Sequence, residues 1–194
     1  MEGEIEIYLG PMFSGKTTKL FHELNRSQNI GLSGVFVKNE SDTRYTKKPD
    51  EVITHNGFRF KTTPKTKSFG GIRVISAKRL TDVSFNEEEK VVAIDEGQFF
   101  EDLPEMADKW MREGRRVLIA SLDGDFRRKL FGHVSEVIPL AKQVEKLTAY
   151  CMGCNQRKEA IYTIRMSEEK SQKMIGGKET YKAVCAKCFF KNEK

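Results

Sequence analysis

No stretch of this 194-residue chain comes near the run of ~20 consecutive apolar residues that a membrane helix needs. The first residues, Met-Glu-Gly-Glu, lack the basic segment of a secretory leader, so the chain reads as soluble and cytoplasmic. Internal repeats and low-complexity tracts are missing too, which sets aside solenoids and linker-like polymers. Cysteine is scarce: the four present fall into two close pairs, Cys151/Cys154 and Cys185/Cys188. Without a leader, that pattern favours metal ligation over disulfides.

What is present suffices for a core. Hydrophobic residues make up 38%, which excludes disorder of the whole chain, and the length fits one domain with a small appendage. Lys plus Arg number 34 against 28 Asp plus Glu, a net charge of +6. Between Lys38 and Arg79 eleven basic residues accompany four acidic ones, so the surplus is local. It suggests anionic partners, but it does not separate nucleic acid from a phosphorylated small molecule.

Glu4 to Leu9 alternates charged and apolar residues and runs into a glycine-bounded loop, as a strand feeding a turn does. Leu20, Phe21 and Leu24 then fall at helical spacing between Lys16 and about Asn29. Val35–Val37, Arg73–Ser76, Lys90–Asp95 and Val117–Ala120 read as further strands, and Leu103, Met106, Ala107, Trp110 and Met111 trace one face of a helix ending near Gly114. This alternation predicts an α/β fold, a mostly parallel sheet flanked by helices. Residues 39–71 show no sustained periodicity and read as a long functional loop, and Glu87-Glu88-Glu89 as a solvated connection. After a break near Ala149, Ile161–Ile164 and Tyr181–Val184 read as strands between the cysteine pairs.

Gly10-Pro11-Met12-Phe13-Ser14-Gly15-Lys16-Thr17 fits the G-x-x-x-x-G-K-[ST] phosphate loop in its required setting, after a strand and before a helix. Its glycines let the backbone curl around phosphates, at a helix N-terminus that favours negative charge. Lys16 is expected to reach the β- and γ-phosphates and Thr17, followed by Thr18, to ligate Mg²⁺. Val91-Val92-Ala93-Ile94-Asp95 has the form of the partner motif, a buried strand ending in a carboxylate for the Mg²⁺ shell. Glu96 follows directly, so one carboxylate can serve the metal while the other takes a proton. On these residues alone, phosphoryl transfer to a hydroxyl and ATP hydrolysis both remain open. The cysteine pairs, each C-x₂-C, can present four thiolates to one structural Zn²⁺, with Lys170 to Lys178 as a protruding loop between them.

These motifs, together with Asp42-Thr43-Arg44-Tyr45, Ile94-Asp95-Glu96-Gly97-Gln98-Phe99-Phe100, Leu122-Asp123-Gly124-Asp125-Phe126 and Ile175-Gly176-Gly177, resemble the type II, zinc-containing cytosolic thymidine kinases from about Ile5 to Cys188. The resemblance implies transfer of the γ-phosphate of ATP to the 5′-hydroxyl of thymidine, and of deoxyuridine. It implies Glu96 as general base, with Lys16 and Arg44 stabilising charge. Gly10 to Thr18 and Asp95 would hold ATP and Mg²⁺. Met12, Asp42, Arg44, Glu96, Phe99, Leu122, Phe126, Thr163, Met174, Ile175, Gly176 and Tyr181 would hold the nucleoside. It further implies a P-loop domain over residues 1–149, a zinc-binding lasso domain over 150–194 that closes on the base, a homotetramer, and inhibition by thymidine triphosphate, with neither nucleic acid nor membrane as partner. His55, in the long loop, reads as inert. Two other readings are a nucleic-acid-associated P-loop ATPase and a zinc-stabilised scaffold that binds nucleotide without turnover. The pI of about 9.1 favours the first, but the basic residues from Lys38 to Arg79 are not interleaved with a stacking platform.

Overall fold

The computed structural model describes residues 2–42, 51–53, 59–63, 70–154 and 157–192. Arg44, with Thr43, Tyr45 and His55, lies outside them. The elements are β1 (Glu4–Leu9), α1 (Lys16–Asn29), β2 (Ser33–Asn39), β3 (Glu51–Ile53), β4 (Arg59–Lys61), β5 (Ile72–Ala77), β6 (Glu89–Ile94), α2 (Leu103–Arg112), β7 (Arg116–Ser121), α3 (Val134–Val137), β8 (Gln143–Lys146), β9 (Ala149–Tyr150), β10 (Glu159–Ala160), β11 (Tyr162–Arg165), β12 (Tyr181–Val184) and α4 (Ala186–Asn192). Six of these strands form one sheet in the order β5-β2-β6-β7-β1-β8, every adjacent pair parallel.

The sheet is covered on both faces, as parallel sheets are. Ile5, Ile7, Val92, Ile94, Val117 and Ile119 pack against Leu103, Met106 and Trp110 of α2. On the other face Tyr8, Phe36, Ala93 and Leu118 pack against Leu20, Phe21 and Leu24 of α1. The long loop is not featureless: β3 and β4 form an antiparallel hairpin that sets Phe60 on Phe21, ring centroids 4.6 Å apart. Glu89 corrects the expectation of a solvated acidic run. It is 5% exposed and takes a two-pronged ion pair from Arg73, Nε to Oε1 at 3.0 Å and Nη2 to Oε2 at 2.8 Å.

A buried charged network fixes α1 against the sheet. Arg116 donates to Glu6 on β1 (2.6 Å) and to Glu23 (3.0 Å) and Ser27 (3.2 Å) on α1. Burial alone would raise the Glu23 carboxyl, but the guanidinium hydrogen bonds from Arg116 and Arg26 outweigh it and hold it below its ordinary range. Tyr8 is pushed upward, by burial first and then by donating its proton to Glu6. Beyond Ala149 the hairpins β9–β10 and β11–β12 bury a cluster of their own, Ala149, Cys151, Ala160, Val184, Cys185 and Phe189, against which Phe13 of the glycine loop packs.

Candidate active site

The glycine loop joins the end of β1 to the start of α1, and its backbone needs glycine where the motif puts it. At Gly10, φ is +144° and a Cβ would lie 2.4 Å from the carbonyl oxygen of Leu147, while Gly15 takes φ +85° as the residue capping α1. Lys16, 8% exposed, folds back into this curl and donates to the carbonyl oxygens of Pro11 (2.7 Å) and Gly10 (3.2 Å). The Thr17 hydroxyl, on the first turn of α1, lies 3.0 Å from both carboxylate oxygens of Asp95 at the end of β6. A hydroxyl beside a carboxylate is the hard-oxygen donor set that Mg²⁺ selects, and two distant stretches of sequence converge to make it.

Glu96 turns the chain out of the sheet in the left-handed region, φ 52° and ψ 47°. For a residue with a side chain this costs about 1–3 kcal/mol and persists only where the surroundings enforce it. Its carboxylate lines a cavity of about 460 Å³, mouth included, together with Met12, Phe99, Leu122, Phe126, Thr163, Met174, Ile175, Gly176 and Tyr181. Ten of the expected nucleoside residues thus stand around one space. Asp42 sits just past β2, its amide bonded to the Asn39 carbonyl oxygen at 3.0 Å, and is not among the lining residues.

The cavity walls come from both ends of the chain. Thr163 on β11 accepts a hydrogen bond from the Met12 amide (3.0 Å), and Met12, Leu122 and Tyr181 form a buried apolar cluster. The segment of residues 166–180 between β11 and β12, termed the lid for its expected role, contributes Gln172, Met174, Ile175 and Gly176 to the lining. Arg165 holds it from below: its guanidinium donates to the carbonyl oxygens of Glu169 (2.9 Å), Ser171 and Gln172 (3.1 Å) and to the Tyr181 hydroxyl (2.8 Å). The same guanidinium lies 4.0 Å over the ring of Phe126. Tyr181 passes the chain of bonds on to the Met174 carbonyl oxygen (2.7 Å). Gln172 crosses to the body of the protein and donates to Asp125 (2.9 Å) and to the Leu130 carbonyl oxygen (3.0 Å). Burial would raise the Asp125 carboxyl, but the Lys129 amide, Gln172 and the Arg127 amide donate to it and lower it below its ordinary value.

Gln98, Asp125, Arg165 and Gln172 line the cavity and were not singled out from the sequence. Gln98 and Asp125 lie inside the blocks that carried the resemblance, whereas Arg165 and Gln172 have no local signal: Arg165 meets three carbonyls of the following segment, the Tyr181 hydroxyl and the Phe126 ring, and Gln172 meets Asp125 and the Leu130 carbonyl, partners that only the folded chain brings near.

The four sulfurs of Cys151, Cys154, Cys185 and Cys188 lie within 4.8 Å of one another. A tetrahedral Zn²⁺ with sulfurs at about 2.3 Å fits that spacing and would leave no open position. Burial opposes ionisation of Cys151, yet amide hydrogen bonds from Cys185 (3.2 Å) and Gly153 (3.4 Å) bring its thiol down to about 6. No helix among the described residues is long and apolar enough to cross a membrane.

Known proteins resemble this chain over nearly its whole length. The thymidine kinase family model matches residues 3–189. The human cytosolic thymidine kinase is 38% identical over 189 residues, covering 97% of this chain and 74% of that protein. The bovine cytosolic thymidine kinase is 39% identical over 97% of this chain and 73% of its own length. The thymidine kinase of vaccinia virus, strain Western Reserve, is 39% identical over 96% of this chain and 97% of its own length.

Proposed function

The chain belongs to the thymidine kinase family, and on that premise we propose that it transfers the γ-phosphoryl group of ATP to the 5′-hydroxyl of thymidine, and of deoxyuridine, giving the monophosphate and ADP in nucleotide salvage. The observation that carries the reading is the single cavity in which a strand-end carboxylate, Glu96, meets the glycine loop through Met12 and the lid through Met174, Ile175 and Gly176.

In this reading the loop from Gly10 to Thr18 holds the triphosphate, and Lys16 exchanges its carbonyl partners for phosphate oxygens. Thr17 and Asp95 would hold Mg²⁺, which when bound supplies positive charge to the phosphate oxygens. Glu96 accepts the proton of the attacking hydroxyl, a step worth about 10²–10⁴ in rate for a well-placed base. Arg44, in the Asp42-Thr43-Arg44 stretch, adds charge stabilisation at the transferred group. Met12, Phe99, Leu122, Phe126 and Tyr181 enclose the base, and the lid reads its polar edge through backbone groups of Met174, Ile175 and Gly176. Such a pocket rejects bases that leave its buried donors and acceptors unpaired. The 5-methyl group adds only about 1 kcal/mol, so deoxyuridine is tolerated. The zinc-binding segment from residue 150 onward acts as a lasso domain on the P-loop domain of residues 1–149. Cytoplasmic location, homotetrameric assembly and inhibition by thymidine triphosphate complete the reading.

Phosphoryl transfer from ATP to a panel of nucleosides, with and without single-stranded DNA, tests it. Thymidine-dependent ADP release indifferent to DNA is expected. DNA-stimulated release without nucleoside phosphorylation would overturn the proposal in favour of a nucleic-acid-associated ATPase.

A further inference from the structure

A glutamate on a left-handed turn has several rotatable bonds between its backbone and its carboxylate, so something must aim it. Gln98, two residues on, is 4% exposed, and its carboxamide bridges two elements. Its Oε1 accepts from the Leu122 amide (3.1 Å) and the Ser121 hydroxyl (2.9 Å) at the end of β7. A backbone N–H can only donate, so the end of the carboxamide facing Leu122 is the oxygen. The orientation of the other end follows: Nε2 faces Glu96 and donates to Oε2 at 2.5 Å. Ser121 is fully buried, so this bridge is anchored in the sheet, and it meets Leu122, which is itself a wall of the cavity.

We infer that Gln98 is a positioning residue, fixing the Glu96 carboxylate to the end of β7 so that it meets the acceptor hydroxyl at one angle. The inference rests on the reading of Glu96 as general base, and a double-mutant cycle separates the two. The full-length protein and the variants Glu96→Gln, Gln98→Met, Gln98→Glu and Glu96→Gln/Gln98→Met are compared for kcat with thymidine and ATP, for thymidine Kd by calorimetry, and for melting temperature.

Gln98→Met removes the donor at similar volume. It should lower kcat by about ten- to a hundredfold, since loss of geometry at a reacting group can cost that much, with thymidine Kd within about threefold. Glu96→Gln should lower kcat by about 10²–10⁴. The double variant should be no more than about threefold slower than Glu96→Gln, because a residue acting through Glu96 has nothing left to aim. Gln98→Glu keeps an oxygen for the Leu122 amide and Ser121 hydroxyl while setting a carboxylate against a carboxylate. It should lose kcat at least as far as Gln98→Met, and it carries the test should the methionine variant not fold.

If both Gln98 variants keep kcat within threefold of the parent while Glu96→Gln falls, the inference fails and the base survives. A double variant slowed by the product of the single effects would place Gln98 on a separate task and also overturns the inference. Near-parental activity of Glu96→Gln would remove the base role and the inference with it.

Discussion

Lys16, Thr17, Asp95 and Glu96 stand where strands β1 and β6 end and helix α1 begins, on elements buried between two apolar clusters. Met174, Ile175 and Gly176 stand on residues 166–180, whose attachments include side-chain hydrogen bonds from Arg165, Gln172 and Tyr181, a backbone bond from Tyr181 to Gly177 and Lys173 over the Phe99 ring. The same C-terminal part of the chain carries the cluster of four sulfurs. One side of the cavity is held by burial of a sheet and the other by polar contacts that can be made and broken one at a time. In the proposed function, chemistry that needs sub-ångström placement would sit on the first, and recognition that needs entry and release on the second.

The two sides should fail differently. Glu96→Gln, on the sheet side, is expected to have the largest effect, a loss of kcat of about 10²–10⁴ with thymidine and ATP still bound. A comparable loss of thymidine affinity would show that the sheet side also recognises the nucleoside. Next comes the metal. Purified protein should contain about one zinc per chain, and folded, active protein without it would refute the site. Cys185→Ser should release the metal and weaken thymidine binding by about tenfold or more, since structural zinc contributes folding energy directly. Phe13 of the glycine loop packs on the cysteine cluster, so ATP binding should weaken as well, but less. Equal losses for both ligands would erase the distinction between the sides.

Arg165→Leu tests the lid without touching the metal. It removes the charged donor to three lid carbonyls and the Tyr181 hydroxyl. Charge-assisted bonds are each worth ~1.5–3 kcal/mol, and about 1.4 kcal/mol is a factor of ten. Thymidine KM should therefore rise roughly tenfold or more while kcat changes less. Arg165→Lys should rescue little, because an ammonium cannot span several acceptors as the planar guanidinium does. A fall confined to kcat would instead put Arg165 in the chemistry.

The same contrast explains what the sequence made legible. The sheet side repeats a local grammar, with apolar runs, a glycine loop and helical spacing, so β1, α1, β6, α2 and β7 could be read almost to their ends. Strand β8, Gln-Val-Glu-Lys, escaped because it lies at the sheet edge and is mostly exposed. Its register comes from backbone pairing with β1, and that leaves no hydrophobic period. Glu89 looked solvated because its partner, Arg73, lies on another strand. The β3–β4 hairpin was hidden by the lysines around it, its strands being too short for their alternation to stand out. In the cavity, the motif residues could be read, whereas the residues that hold them, Gln98, Arg165 and Gln172, are defined by partners that only the fold brings near.

Two buried aspartates give the smallest and sharpest test, because they are alike in chemistry and stand on opposite sides of the contrast. Asp102 accepts the Leu80 (3.1 Å) and Thr81 (2.9 Å) amides next to α2. Asp125 accepts the Arg127 (2.8 Å) and Lys129 (2.9 Å) amides and the lid's Gln172 (2.9 Å). In both, burial raises the carboxyl and the hydrogen bonds lower it further, leaving it below its ordinary value of 3.8. A carboxyl depressed on folding contributes stability that is complete above its unfolded value and lost as pH falls through the folded one. Neither group should therefore alter behaviour between pH 7 and about 5. Asp102→Asn keeps one acceptor and turns a donor toward the other amide, at a cost of about 1 kcal/mol. The melting temperature should drop by about 2–4 °C, with thymidine affinity unchanged. Asp125→Asn can still accept both turn amides on its oxygen, but its new NH₂ group meets the donor end of Gln172. Thymidine affinity should fall by about two- to fivefold, as expected for one hydrogen bond worth ~0.5–1 kcal/mol, with little change in melting temperature. An exchange of the two outcomes would mean that the lid is part of the rigid frame.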